Sequence, residues 1–538
     1  MSLKKRLLAV FVIICTLAGV VFVGFRGMTI PKMEQESIFH KKDAIYFWYT
    51  DDSLTDYINS AAVTFGEEND IRVIPVLKSG MEYLEAVNQA SLTDEEALPD
   101  VYLLSNDSLE KAYLAGLAAE VDDNGVCSVE HFPQAALSAV TYHDKLIAYP
   151  YYFETSAYLY NKTYLEDFVK AQIQAEQDRA EGEAAQAAST DMDVKDPGEE
   201  AQSAKEDAAT ADTTSDASTG ADDGASDETA EEVSEEIDPA WQAEIDRRLQ
   251  ELLPETTEEL LTFADSYEAP ETVDSILKWD VSDIFYNYYF IGKYMVVGGE
   301  AGDNTEQIDI YNLEAIQCLK VYQKLNQFFY IDPDTVTYDS VLQDFIDGKV
   351  VFSVVTNDAV ARLEQAKEEG SFPYEYGVMN VPRISETLKG RSLSVTNAVV
   401  VNGYSQKKEL ANRFAAFLTT EYLDNLYDRT GKTAASYDVI YENPSLESFR
   451  AEYATSIPMP KMIETSNFWI QLEILFSKVW SGDNINDLVR ALSEQMMTQV
   501  LGEPFTEEYI EEPEEETQEE GEYVDDGEVI TEDDVIDQ

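Results

Sequence analysis

The sequence predicts an α/β fold that follows a membrane-length apolar helix and carries disordered acidic segments. Three observations lead there. Residues 44–165 alternate short apolar runs with amphipathic ones, at the spacing of strands and helices in a largely parallel sheet. The first 27 residues place a basic cluster ahead of nineteen mostly apolar positions, Leu7–Phe25. Residues 171–240 contain no Phe, Tyr or Trp and are rich in Ala, Asp, Glu, Ser and Thr.

The chain has 538 residues, enough for two or three domains and a large core. Its 106 acidic residues against 37 basic ones give a net charge of −69. The excess is unevenly placed. Residues 171–240 hold 22 acids and 3 bases, and residues 503–538 hold 18 acids and no base. Such a surface repels phosphate backbones, which argues against nucleic acid as a partner. The insert at 171–240 cannot bury enough apolar surface to offset chain entropy and is expected to be disordered, as is the tail at 503–538. The insert's flanks, 165–178 and 239–252, can continue as helices.

Lys4-Lys5-Arg6 precede the apolar run, which as a helix spans about 28 Å, close to a hydrocarbon core. The positive-inside rule then puts everything after Arg26 outside the cell. Between a cleaved signal peptide and a retained anchor, the sequence favours a single-pass signal anchor over 1–27: no small-x-small cleavage site follows the run. Leu17-Ala18-Gly19-Val20 has valine where a lipoprotein box needs cysteine. Residues 28–43 form a polar spacer. Cys127 and Cys318 read as separate buried thiols. Three scattered histidines (His40, His131, His143) make no metal cluster, so neither a metal nor a cofactor is expected.

Ala44–Thr50 is a first buried strand, and Asp51-Asp52-Ser53 form a capping turn before a helix over Leu54–Glu68. Ile71–Leu77 is a strand, Met81–Ala90 a helix, and Asp100–Leu104 a strand ending at Ser105-Asn106-Asp107. A helix over Leu109–Ala115 stops at Gly116. In parallel sheets ligands sit at the carboxyl ends of strands, where Asp51, Asp52, Asn106 and Asp107 fall. The stretch His143–Lys162 (HDKLIAYPYYFETSAYLYNK) reads as a turn, a strand over Leu146–Tyr149 stopped by Pro150, and a second strand over Thr155–Tyr160. Glu154 lies between them amid Tyr149, Tyr151, Tyr152, Phe153 and Tyr158. Taken alone, this is a buried hairpin with a solvated carboxylate at its turn.

Beyond the insert, a pattern resumes at Pro254. Ile276–Asp280 is a strand and Asp283–Ile291 an aromatic helix, too polar at Asp283 and Asn287 to be pure core. Tyr311–Phe329 and Val341–Ile346 are helices. Val350–Val355 is a strand ending at Thr356-Asn357-Asp358. Lys407–Asp428 is a long amphipathic helix. Asn467-Phe468-Trp469 precede a helix over Ile470–Trp480.

Several of these phrases, in this order, resemble the extracellular solute-binding proteins of ABC importers, and most of all the maltose/oligosaccharide-binding type. Residues 143–162 are similar to that family's first interlobe crossing. PDVYLLSNDSLEKAYLAGLAAEV (99–121) resembles its first lobe, and DFIDGKVVFSVV (344–355) its helix, glycine turn and cleft strand. The resemblance covers about residues 44–165 and 254–502. It implies a two-lobed periplasmic-binding-protein-like fold of type II with a hinge. Lobe 1 would comprise 44–153 and 391–440, and lobe 2 would comprise 154–390, interrupted by the insert. Helices over 441–502 would lie mainly on lobe 2.

The same resemblance implies that Glu154 faces a ligand cleft and that Trp469 occupies a sugar-stacking position. A sugar site needs flat aromatic faces and groups that bind hydroxyls. The candidates are Asp51, Asp52, Asn106, Asp107, Glu154, Asp283, Asn357, Asp358 and Trp469; Trp48, inside an apolar strand, reads as core. The chain departs from the maltose-type pattern at Leu104-Ser105, where an aromatic platform is expected. Ser108 and Glu473 stand where basic residues are expected, and Asp358 where a tryptophan is. The implied function is to bind a small solute, an oligosaccharide, and deliver it to ABC permease subunits by hinge closure. A membrane-tethered sensor or scaffold of the same fold is the alternative. A glycosidase is disfavoured, because none of the acids sits in a recognisable acid/base motif, and no phosphate loop, G-x-S-x-G or metal-ligand cluster points to another catalyst.

Overall fold

The computed structural model describes residues 43–80, 82–93, 96–122, 125–190 and 239–512. The expected signal anchor (1–27), nearly all of the spacer, residues 191–238 of the insert and residues 513–538 of the tail lie outside these. Among the described residues, no helix is long and apolar enough to cross a membrane.

Ala44–Tyr49 (AIYFWY) is a run of strand-forming side chains and becomes the centre of a three-stranded parallel unit. Arg72–Leu77 pairs with it on one side and Val101–Ser105 on the other. Its side chains alternate between two cores. Ile45, Phe47 and Tyr49 pack with Leu54, Tyr57 and Phe65, at and beyond the start of helix Thr55–Asn69, whereas Trp48 packs with Tyr102, Leu104 and Val87 on the opposite face. Trp48 is thus core. Cys127 and Cys318 are both buried, and no disulfide joins them.

Leu393–Val401 runs antiparallel to Val101–Ser105 and also to the first half of a thirteen-residue strand, Tyr149–Asn161. The second half of that long strand, Ser156–Tyr160, pairs antiparallel with Val350–Thr356, and Ser275–Lys278 extends the sheet in parallel. Tyr376–Met379 takes its other edge. One strand therefore belongs to both lobes: Tyr149 and Tyr151 lie in the lobe 1 core, and Tyr158 and Tyr160 in that of lobe 2.

This corrects the expected hairpin. Pro150 does not stop the strand, because the pairing register with Leu393–Val401 shifts by one residue there. The bulge opposes Asn397 to Tyr152 and Ala398 to Pro150, which leaves Tyr151 as the extra residue. Proline, having no N–H, is tolerated at such a bulge. Phe153 then stacks on Tyr453 at 4.0 Å and 2°, inside a small core shared with Phe132 and Ala435.

Other expectations change as well. The acidic insert is not structureless from residue 171: helix Lys162–Thr190 runs well into it. Ala, Gln and Glu are strong helix formers, and helix Pro239–Leu252 returns beside this one. Val169, Ile173 and Ile245 form the contact, with Arg248 donating to both Glu176 oxygens at 3.0 and 2.9 Å. The beginning of the tail is also held. Ile510 N–H donates to the Tyr311 hydroxyl at 2.9 Å, Asn486 Nδ2 donates to the Ile510 carbonyl at 2.9 Å, and Glu512 pairs with Lys320. The helix expected over Lys407–Asp428 breaks after Ala416 into a π-turn over Phe417–Glu421. There the Thr419 and Thr420 hydroxyls bond back to the Ala415 and Ala416 carbonyls, which loosens the helical ladder.

Candidate functional site

A cavity of about 520 Å³ opens where the long strand passes from one lobe to the other. Its floor is Phe153 and Glu154. Lobe 2 contributes Asp283–Tyr286, Tyr338 and Thr356–Asp358, and Val395, Lys432 and Met459 close the other side. Glu154 sits mid-strand between two paired neighbours: Val395 opposes it, and Thr433 opposes Phe153. The strand's alternation turns Phe153 into the hinge core and Glu154 into the cavity. The carboxylate is open to water at the mouth of the cleft and surrounded by protein elsewhere, so it is accessible and yet poorly solvated.

The electrostatics of the cavity are lopsided. Burial pushes the Glu154 carboxyl up; the Lys432 ammonium opposes this, and the charges of Asp358 and Asp51 add to the rise. Burial also pushes Asp283 up against the pull of its hydrogen bond from Phe285 N–H, and Glu473, near Asp283, is raised by burial and by that charge. Asp51 goes the other way. Burial acts to raise it, but Lys432, 2.8 Å away, and Ser53 outweigh burial and hold it below the usual carboxylate range. The Tyr286 and Tyr338 rings stack at 5.1 Å and 11° in the cavity wall.

The structure brings four of the sequence candidates to this cavity: Glu154, Asp283, Asn357 and Asp358. Asp283 caps a helical turn over Ile284–Asn287 by accepting from Phe285 N–H at 2.8 Å. Asp358 accepts from the Tyr338 hydroxyl at 2.8 Å. Asn357 is buried, and its amide is engaged within the protein: Nδ2 donates to the Phe153 carbonyl at 3.0 Å and to the Thr433 hydroxyl at 2.9 Å, while Oδ1 accepts from Thr155 N–H at 3.3 Å. Asn106 is engaged in the same way, donating to the Met459 carbonyl at 2.6 Å and accepting from Thr396 N–H at 2.8 Å.

The remaining candidates do not line the cavity. Asp51 reaches it through Lys432. Asp52 is exposed in the turn after the first strand, and Asp107 accepts from the Ser105 hydroxyl. Trp469 is half-buried in the first turn of helix Phe468–Trp480, with its ring 5.8 Å from that of Tyr288. Sequence reasoning missed Lys432, Tyr286 and Tyr338. The one local signal for Lys432 was Gly431, whose φ of +71° turns the chain out of a helix and into the Thr433–Ala434 strand. Among the described residues, no group of histidine, cysteine and carboxylate side chains could hold a metal ion.

The strand shared by two α/β lobes thus carries at its changeover a cavity lined by aromatic and aliphatic side chains, three carboxylates and Lys432. The sequence profile described as bacterial extracellular solute-binding protein matches residues 60–439. The chain belongs to that family. It is 21% identical over 249 residues to the maltodextrin-binding protein MdxE of Bacillus subtilis (strain 168), a match spanning 44% of this chain and 58% of that protein. Its fold is similar to that of an extracellular solute-binding protein from Staphylococcus aureus, solved in complex with maltose. The TM-score is 0.61 at 17% identity, covering 86% of this chain and 99% of that one. Likewise, the maltose-binding periplasmic protein MalE of Listeria monocytogenes, also in complex with maltose, gives a TM-score of 0.57 at 17% identity, covering 87% and 100%. The family member described here thus shares the two-lobed fold of proteins seen with sugars in hand.

Proposed function

We propose that this chain is the substrate-binding component of an ABC-type importer, taking an oligosaccharide into the cavity between its lobes and delivering it to the permease. The observation that carries the reading is Glu154, a cavity-facing carboxylate at the strand crossing, to which no hydrogen bond or ion pair is made among the described residues. The maltodextrin and maltose relatives support a carbohydrate as the solute.

In this reading Glu154, Asp283 and Asp358 accept from ligand hydroxyls, Tyr286 and Tyr338 wall the site, and Trp469 adds an aromatic face as the lobes close. Asp51, Asp52 and Asp107 contribute from the lobe 1 rim, and Asn106 and Asn357 serve as hinge clamps. Lobe 1 takes in residues 44–153 and 391–440, lobe 2 takes in residues 154–390, and residues 441–502 buttress the second. Residues 7–25 tether the protein, with its bulk outside the cell. We assign it no catalytic step. A thermal-shift panel of mono- and oligosaccharides, amino acids and peptides tests the reading. A ligand that binds only the native state raises Tm with the logarithm of its concentration. A saturable shift with one sugar class, lost in Glu154→Ala, is expected; a shift with peptides alone would refute it.

A further inference from the structure

We propose that the oligosaccharide this cavity selects carries protonated amines, an amino sugar in place of a neutral one; this deepens the solute-binding reading and rests on it. The lining sets three carboxylates, Glu154, Asp283 and Asp358, against one ammonium, Lys432. That ammonium is already matched by Asp51 at 2.8 Å. The carboxylates have capacity to spare. Glu154 has no hydrogen-bond partner among the described residues, and Asp283 and Asp358 each use one oxygen, Oδ1, leaving Oδ2 free.

Ionised carboxylates only accept hydrogen bonds, and neutral hydroxyls could satisfy that geometry. Hydroxyls cannot offset like charges lining one poorly solvated cleft, where Asp358 raises the cost of ionising Glu154 and Asp280 raises that of Asp283. An ammonium on the ligand supplies both donors and the missing charge. The stacked Tyr286–Tyr338 pair and Phe285 add ring surface to the same cavity, which suits the C–H face of a pyranose and also attracts a cation. A flexible linear polyamine would match the charge but make little use of those rings. Glu473, one turn beyond Trp469 on helix Phe468–Trp480, adds a further acid near Asp283.

The test is calorimetric titration of the full-length protein with four probes, at low and high salt: the trimer of glucosamine, its fully N-acetylated counterpart, maltotriose and spermidine. The glucosamine trimer is expected to bind at least about tenfold more tightly than either neutral trimer, with an advantage that shrinks as salt rises. Asp358→Asn and Glu154→Gln should each erode that preference while the folded state, checked by circular dichroism, is retained. Equal or tighter binding of a neutral trimer overturns the amine inference and leaves the carbohydrate reading standing. Spermidine binding with no response to any sugar overturns both. No heat with any probe overturns the inference, and the thermal-shift panel then decides the parent reading separately.

Discussion

The amide of Asn357 donates to the Phe153 carbonyl across 3.0 Å and so ties the end of a lobe 2 strand to the crossing strand. The same side chain accepts from Thr155 N–H at 3.3 Å and reaches the Thr433 hydroxyl at 2.9 Å. Three segments meet at one buried amide, directly beneath Glu154.

Asn357→Ala leaves the Thr155 N–H and the Phe153 carbonyl without this partner in a buried place. A loss of about 2–3 kcal/mol of unfolding free energy is expected in urea denaturation. Asn357→Asp, which keeps the acceptor and loses the donor, should be at least as damaging at neutral pH, since it buries a charge.

Glu452 is almost wholly buried, accepting from the Ser392 hydroxyl at 2.5 Å and from Val381 N–H at 3.1 Å. Burial pushes its carboxyl up to about 6, against its ordinary value of 4.5. Between those values the folded state holds a proton that the unfolded chain has released. The stabilisation is therefore full below pH 4.5 and is lost as pH rises through 6, by about 2 kcal/mol in all. Glu452→Gln should remove this fall, seen as a difference between the two stability–pH curves over pH 4–7.

Lys461 is fully buried, with its ammonium donating to the Ser138 carbonyl at 3.1 Å and to that of Ala301. Burial brings it down to about 8, against the pull of Asp303 and Glu110. Here the unfolded chain binds the extra proton between pH 8 and 10.5, so this group's contribution to stability rises with pH across that window, by up to about 3 kcal/mol. Lys461→Met should lack the rise. A flat difference curve between the two proteins would count against the buried charge.

Lys432 pulls down both Asp51 and Glu154. In Lys432→Met both carboxyls should titrate at higher pH, Asp51 losing its ion pair and Glu154 its opposing charge. Carboxyl-carbon NMR titration reads the two directly. If Glu154 does not move while Asp51 does, Lys432 acts on the rim and leaves the cavity floor alone.

The sequence exposed the architecture well, because alternating apolar periods and strand-end polar turns are local properties of the chain. The residues around Glu154, taken alone, read as a hairpin with a solvated turn; its place on a cleft is what the resemblance of residues 143–162 to an interlobe crossing implies. What misled was Pro150, tolerated because its own strand bulges at Tyr151 against a partner strand some 250 residues away, which no local pattern reveals. Asn106 and Asn357 looked like ligand contacts because both end strands; that their amides bind main-chain groups depends on Met459, Thr396 and Phe153, which only the fold brings close. Lys432 carried no pattern. The helix running to Thr190 was underread because an aromatic-free composition argues against a core, but a helix needs only one stripe of contact, here Val169 and Ile173 against Ile245.

The long strand changes sheets without a break: Thr155 pairs with Ser394 of one lobe, and its neighbour Ser156 with Thr356 of the other. No slack residue separates them. Rotation of the lobes must then put twist into this ribbon, the way a torsion bar carries load, and its changeover lies next to the carboxylate that faces the cavity. Under the proposed function, occupancy and lobe angle meet at one stretch of backbone, so a molecule that fills the cavity without engaging Glu154 is expected to have less leverage on the angle between the lobes.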